Sequence, residues 1–234
     1  MNTISGCNMQ IDPVGEKSSH IYSNKEHAVI GISPFNSYFR EENLIRLFNW
    51  GLNNFKDISI FYPDQLSIYN FLSLGISKNK GIIKTKQQDN YSKNKIIRAL
   101  GKNDLFTAQS SFIYKIWTFS RLSNNLKYRE ILNLIMDMYY NNEQFRRGCL
   151  KTTHEILSTK ISYHKDLSVN LSVGVKYLLY ELPLYINSPY IFDVKSSLFI
   201  YHEHFSFIKK LITDSTFTAP NQGLLTVKIC GVIK

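Results

Sequence analysis

Apolar residues along this chain fall into two alternating rhythms. Residues 28–33 (Ala-Val-Ile-Gly-Ile-Ser) form a short apolar run stopped by Pro34, the pattern of a strand buried on both faces of a parallel sheet. From residue 39 to about 55 the rhythm becomes helical, with Leu44, Leu47, Phe48 and Leu52 on one stripe, Ser37 as an N-cap candidate, and Glu41 and Glu42 in the first turn. Residues 57–62 read as a second strand ended by Pro63-Asp64, followed by a helix over 65–74 and another over about 91–100. The stretch 112–158 is mostly helical in pattern, with a stripe of Ile131, Leu134, Ile135 and Met138. A further helix is predicted over 167–185, stopping before Asn187-Ser-Pro189. Beyond it come a strand over 196–201, a short helix over 205–212 and a last strand over 224–229. Strands alternating with helices at such intervals predict an α/β fold, a single domain with a central parallel sheet flanked by helices. Residues 1–24 are polar and aperiodic and read as a flexible N-terminal leader, which leaves 25–234 as the folded domain.

Composition narrows the function classes. At 234 residues the chain is long enough for one sizeable core. No run reaches the roughly 18 apolar residues of a membrane span. The first residues have neither the basic start nor the apolar run of a signal peptide. Three widely spaced cysteines, Cys7, Cys149 and Cys230, suit neither a zinc knuckle nor a paired disulfide framework, so a reducing, cytoplasmic setting is expected. The formal net charge is +10. Alanine occurs only four times while Ile, Asn, Lys, Tyr and Phe abound, a bias that AT-rich codons would produce, so bulk charge alone says little. Its placement says more. Between Lys78 and Lys102 stand eight basic residues against the single acid Asp89, whereas the other residues hold 20 basic and 17 acidic side chains. Lys95, Arg98 and Lys102 would share one helix face there.

Few candidate chemical groups stand out. Gly31-Ile-Ser33-Pro-Phe35 at a strand end resembles a nucleophile elbow that lacks its second glycine. A serine at the tip of a parallel strand sits where open α/β sheets place ligands, although an ordinary turn serine would look the same. Tyr177 and Glu181 stand four apart on a predicted helix, with Leu184 on the same face. His202-Glu-His204 lacks a third ligand at metal-site spacing, and there is no HExxH, GxxxxGK[ST] or GxGxxG. Neither a metal nor a nucleotide cofactor is expected.

Two segments together carry a family resemblance. His27-Ala-Val-Ile-Gly-Ile-Ser33 and Tyr177-Leu-Leu-Tyr-Glu181-Leu-Pro183 resemble the two signature motifs of the cyclodipeptide synthases, matching at every specified position and at the expected separation. Asn36-Ser-Tyr-Phe39, Asn187-Ser-Pro189 and Ser196-Ser197 leading to Tyr201-His202 extend the resemblance from about residue 25 to about 205. It implies a monomeric Rossmann-like enzyme, similar to class I tyrosyl- and tryptophanyl-tRNA synthetase catalytic domains, that makes a 2,5-diketopiperazine from two aminoacyl-tRNAs. The reaction would pass by ping-pong through an aminoacyl-enzyme on Ser33 and a dipeptidyl-enzyme that cyclises. There is no HIGH-like motif, which fits a protein that does not make its own aminoacyl-adenylate, and an already activated ester substrate implies no need for ATP or metal.

By the same resemblance Tyr177 and Glu181 hold the substrate α-ammonium, Asn36 helps position it, and Tyr201 acts in proton transfer. His202 after Tyr201 places the chain near the branch with Asn following the nucleophile, and Phe35 stands where that branch often has a small residue. Val29, Gly31, Leu184 and Phe199 would line the first side-chain pocket, implying a hydrophobic first residue, leucine or phenylalanine. Strand alternation agrees in putting Val29, Gly31 and Ser33 on one side and Phe199 with Tyr201 on one side. Lys84, Lys86, Lys93, Lys95, Arg98 and Lys102 become candidates for backbone contacts to tRNA. Two other readings are a serine hydrolase built on Gly31-Ile-Ser33, and a non-catalytic tRNA-binding remnant of a class I synthetase. No membrane partner is expected.

Overall fold

In a computed structural model, residues 9–34, 36–102, 115–161, 169–214 and 217–229 are described. Six strands form one sheet in the order β1-β6-β5-β2-β3-β4. They are β1 (Met9–Pro13), β2 (His27–Gly31), β3 (Asp57–Tyr62), β4 (Ile116–Thr118), β5 (Ser197–Tyr201) and β6 (Gln222–Ile229). The five strands from β6 to β4 run parallel; only β1 is antiparallel, against β6. The chain passes from β2 outward to β3 and β4, then crosses back to lay β5 on the other side of β2. The β2/β5 junction is therefore the point where the winding reverses, and ligands in such sheets bind beyond the carboxyl ends of those strands.

Helices cover both faces, as a sheet buried on both sides requires. One layer holds α1 (Gly15–Asn24), α2 (Glu41–Asn54) and α4 (Lys78–Gly101), packed on Ala28, Ile30, Ile58, Ile60, Leu198 and Ile200. The other holds α5 (Phe119–Leu122), α6 (Leu126–Asn141), α7 (Glu143–Ile161), α8 (Leu171–Phe192) and α9 (Ser206–Thr213), packed on Val29, Phe61, Phe199 and Leu224. Alternate residues of one strand thus feed two cores. Complete burial of Phe48 or Phe199 stabilises the fold by roughly 1.5–3 kcal/mol each. The remaining helix, α3 (Ser67–Ser73), packs along α8.

The structure departs from the sequence reading in several places. From Met9 onward the expected leader holds β1 and α1: Met9, Ile11 and Pro13 alternate with polar residues, and the strand finds its partner in β6, far away in sequence. Residues 1–8 lie outside the described residues. Ser37 opens a 3-10 turn (Ser37–Phe39) and does not cap α2, whose N-cap is Arg40 with no side-chain bond. The basic helix begins at Lys78, because its buried stripe, Gly81, Thr85, Ser92, Ile96 and Ala99, is mostly small or polar and gives no apolar rhythm at its start. The helix expected to stop before Asn187 does break there, with Asn187 at φ −154° and ψ 55°, but helical turns resume to Phe192. At that break the Gln222 side chain accepts from the Ser188 N–H at 2.7 Å, and Ser188 donates to the Leu184 carbonyl.

Among the described residues no helix is long and apolar enough to cross a membrane, and no group of three His, Cys, Asp or Glu residues converges as a metal site. Cys149 is buried, which pushes its thiol up to about 12. Cys7 and Cys230 lie outside the described residues.

Candidate active site

Ser33 lies two residues past the carboxyl end of β2, and Tyr201 closes β5 beside it. Both face a cavity of about 340 Å³ beneath α8, within the span that small-molecule sites occupy. Gly31 is required there by a close approach: a Cβ at this position would come within 2.6 Å of the Phe199 ring and 3.5 Å of Tyr201. The Ser33 and Tyr201 hydroxyls face one another across the cavity, near enough for Ser33 to act on the Tyr201 phenol. Burial raises the Tyr201 phenol above its ordinary pKa, and the Glu181 charge raises it further, so it stays protonated.

Glu181 projects from α8 into the same cavity and is only partly buried. Tyr177, one turn earlier, and Tyr185, one turn later, both stand within its field. Burial first and the Glu181 carboxylate second push both phenols well above the usual tyrosine range. A carboxylate ringed by three neutral phenols is a receptor for a cation of ammonium size.

Asn36 is held in place from both sides. Its Oδ1 accepts from the Tyr38 N–H at 2.8 Å, capping the 3-10 turn, and its Nδ2 lies 2.9 Å from His202 Nε2. The His202 ring stacks on Tyr38 with centroids 4.8 Å apart and meets Tyr201 edge-on at 4.5 Å. Ser33, Asn36, Tyr177, Glu181, Tyr201 and His202 therefore converge on one cavity, with Gly31 and Phe199 also in its wall. Val29 and Leu184 do not line it: both are fully buried in the core, Val29 deeper along the strand. Phe35 lies outside the described residues.

Several cavity residues escaped the sequence reading. Tyr185 packs at a tilt against Phe199 with centroids 4.0 Å apart. The i, i+4, i+8 series of Tyr177, Glu181 and Tyr185 signals it better than Leu184 at i+7. Asn70 from α3, Ile156 from α7, and Phe205 and Ile208 around the start of α9 complete the wall. They arrive from separate elements, and no spacing along the chain announces them.

The six candidate tRNA contacts all fall on or just after α4. Lys84, Lys86, Lys93, Arg98 and Lys102 are exposed, with Arg98 and Lys102 both paired to Glu41, at 2.7 and 2.6 Å. Lys95 departs from that surface. It is 5% exposed, with its ammonium 5.2 Å from the Tyr91 ring centre, because the helix turns that position inward next to Ile96. The same helix reaches the nucleophile turn, where Gln88 Nε2 donates to the Pro34 carbonyl at 2.5 Å.

The reversed winding at β2/β5, with a serine, a phenol and a carboxylate gathered beyond it, defines a Rossmann-like fold with a cavity at its switch point. The family model of the cyclodipeptide synthases matches residues 9–229, and the chain belongs to that family of cyclodipeptide-forming enzymes. The cyclo(L-leucyl-L-leucyl) synthase of Staphylococcus haemolyticus is 26% identical over 218 residues, covering 88% of each chain. A cyclodipeptide synthase structure from Bacillus thermoamylovorans superposes with a TM-score of 0.84 at 27% identity, over 95% of this chain and 97% of that one. The Mycobacterium tuberculosis protein Rv2275, whose structure relates the family to type I tRNA synthetases, gives a TM-score of 0.82 at 25% identity, over 98% of both chains.

Proposed function

We propose that this enzyme is an aminoacyltransferase that takes both residues of its cyclodipeptide from aminoacyl-tRNAs and joins them on Ser33 by ping-pong. The observation that carries the reading is the convergence of Ser33, Tyr201 and the Tyr177–Glu181 pair on one cavity at the switch point of the sheet. In the first step Ser33 Oγ attacks the ester carbonyl of one aminoacyl-tRNA. The bond to the ribose oxygen breaks, and the serine proton goes to that oxygen. One ester replaces another, so the step is near thermoneutral and calls for neither ATP nor a metal. Glu181 and Tyr177 hold the α-ammonium, and Asn36, fixed by His202, orients the acyl group.

In the second step the Ser33-bound amine, having lost its extra proton, attacks the ester carbonyl of the second aminoacyl-tRNA. The ribose hydroxyl of that tRNA leaves, and a dipeptidyl ester remains on Ser33. Finally the free amine of the dipeptide attacks the Ser33 ester, closing the six-membered ring. Ser33 recovers its proton through the Tyr201 hydroxyl, which works as a neutral relay. Holding both ends in one cavity supplies the effective concentration for closure.

The exposed cations of α4, Lys84, Lys86, Lys93, Arg98 and Lys102, suit a partner recognised through its phosphates, which two different tRNAs share. A cyclodipeptide synthase from Candidatus Glomeribacter gigasporarum, of the same fold at 17% identity and a TM-score of 0.53, was solved bound to Phe-tRNAPhe, in keeping with this reading. The apolar wall of Leu178, Phe199, Phe205 and Ile208 favours hydrophobic aminoacyl groups, leucine or phenylalanine first. The groups that line the cavity suffice for every step above, in keeping with a monomer that draws on the cytoplasmic tRNA pool.

The test is to express the wild type and Ser33→Ala in a bacterium and measure diketopiperazines in the medium by mass spectrometry. The wild type releases a cyclic dipeptide and carries an aminoacyl mass adduct on Ser33 when incubated with aminoacyl-tRNA. No product from the wild type, or undiminished product from the variant, overturns the proposal.

A further inference from the structure

The cavity around Ser33 holds a second carboxylate that the steps above leave without a task. Glu203 follows the end of β5 by two residues, past a bend at His202, and lines the cavity with Phe199 and Tyr201. Where Glu181 is partly buried and caged by phenols, Glu203 is exposed at the rim. None of the ion pairs among the described residues involves it. Its charge nonetheless reaches the reacting centre, since both Glu181 and Glu203 act on the Tyr201 hydroxyl beside Ser33, Glu181 the more strongly.

The substrates set the requirement. Each aminoacyl-tRNA brings one α-ammonium, and moving an ammonium out of water without a counter-charge is costly. The Glu181 cage holds the first. We propose that Glu203 receives the α-ammonium of the second aminoacyl-tRNA and is the proton acceptor that frees this amine for ring closure. This rests on the two-substrate reading given above. At closure the ammonium proton passes to Glu203, and the amine nitrogen bonds to the carbonyl carbon of the Ser33 ester. The carbon–oxygen bond to Ser33 breaks, the proton that the nitrogen sheds reaches Ser33 Oγ through Tyr201, and Glu203 returns its proton to water. The placement matches the order of events. The deep carboxylate serves the group that stays bound throughout, and the rim carboxylate serves the group that arrives last.

A two-stage mass measurement tests this, using the aminoacyl-tRNAs whose residues the secreted diketopiperazine contains. Glu203→Gln loads Ser33 with the first aminoacyl group at the wild-type rate. When the loaded enzyme is chased with the second aminoacyl-tRNA, turnover to cyclic product falls about tenfold or more, and Glu203→Asp restores part of it. The discriminating arm uses the N-acetylated form of the second aminoacyl-tRNA, which keeps the ester but has no ammonium and ends as an N-acetyldipeptidyl adduct on Ser33. Wild type and Glu203→Gln form that adduct at equal rates. Equal chase rates with the free-amine substrate overturn the proposal, and so does an equal deficit with the acetylated one, which marks a merely structural role. A wild type that never forms the first adduct defeats the underlying two-substrate reading instead, and this inference falls with it.

Discussion

β2 and β5 lie side by side, and their two ends follow opposite rules. At the amino end His27 is 2% exposed, with its ring nitrogens 2.8 Å from Ser197 Oγ and 3.1 Å from Ser59 Oγ. One ring nitrogen donates and the other accepts, so a single side chain straps β5, β2 and β3 together. The Phe192 ring packs against it at 5.4 Å. At the carboxyl end Ser33, Tyr201 and Glu181 turn toward a cavity and leave bonding capacity for a substrate. Both ends belong to the same motif, His27 opening it and Ser33 closing it. The contrast teaches that a motif position can be dictated by the sheet alone. A polar group with all its partners inside the protein contributes stability, and one that faces a cavity is free to do chemistry.

The sharpest way to break this division is at Tyr201. Removing its hydroxyl in Tyr201→Phe lowers cyclic product formation about 10²–10⁴-fold, the usual worth of a positioned proton donor, while the thermal midpoint moves by only a few degrees. A variant that loses its fold along with its activity would place Tyr201 with His27 on the structural side. His27→Ala shows the reverse pattern. Stripping the strap leaves two buried serine hydroxyls without their partner and costs about 2–4 kcal/mol in a denaturant titration, with the Ser33 adduct still forming in the cold.

A pH titration of stability tests the same end without mutation. Burial lowers the His27 pKa to about 4 from an ordinary 6.5, against the opposing pull of Asp57, and His204 is lowered to about 4 in the same way. Between these values the unfolded chain binds more protons than the native one. Stability is therefore complete above about pH 6.5 and falls as pH drops toward 4, by up to roughly 3 kcal/mol for each ring. In His27→Ala about half of that slope disappears. The smallest effect belongs to the surface. Replacing Lys84, Lys86 and Lys93 together by Gln lowers activity about tenfold at moderate salt and flattens its salt dependence, without changing stability. An unchanged salt slope would remove α4 from the tRNA interface.

What the sequence made legible follows from where the determining interactions lie. β2, β3, β5 and β6 were readable because each is a local apolar run whose fate is decided by its own residues. β1 and the three-residue β4 were not: β1 carries only a weak apolar–polar alternation and β4 is too short for any, and each exists by pairing with a distant strand. The first half of α4 escaped because its inward stripe of Gly81 and Thr85 carries no hydrophobic signal. Within the site, motif spacing brought together Ser33, Asn36, Tyr177, Glu181, Tyr201 and His202, but depth was beyond its reach. Alternation assigns Val29 to the correct side of the strand and cannot tell that it lies below the cavity floor. Helical periodicity puts Lys95 on one stripe with Arg98 and Lys102, and packing alone decides that the first points in and the other two point out.

The antiparallel strand β1 has a practical consequence for anyone shortening this chain. Trimming to residue 25, where the motifs start, would remove the only partner on one side of β6, whose residues from Leu225 to Ile229 pair with Pro13 to Met9. That side would then present a row of unpaired amides and carbonyls between Leu225, Val227 and Ile229, a template on which a second copy can add its own strand. The expected symptom is a preparation that retains its secondary structure and comes out of solution as it is concentrated.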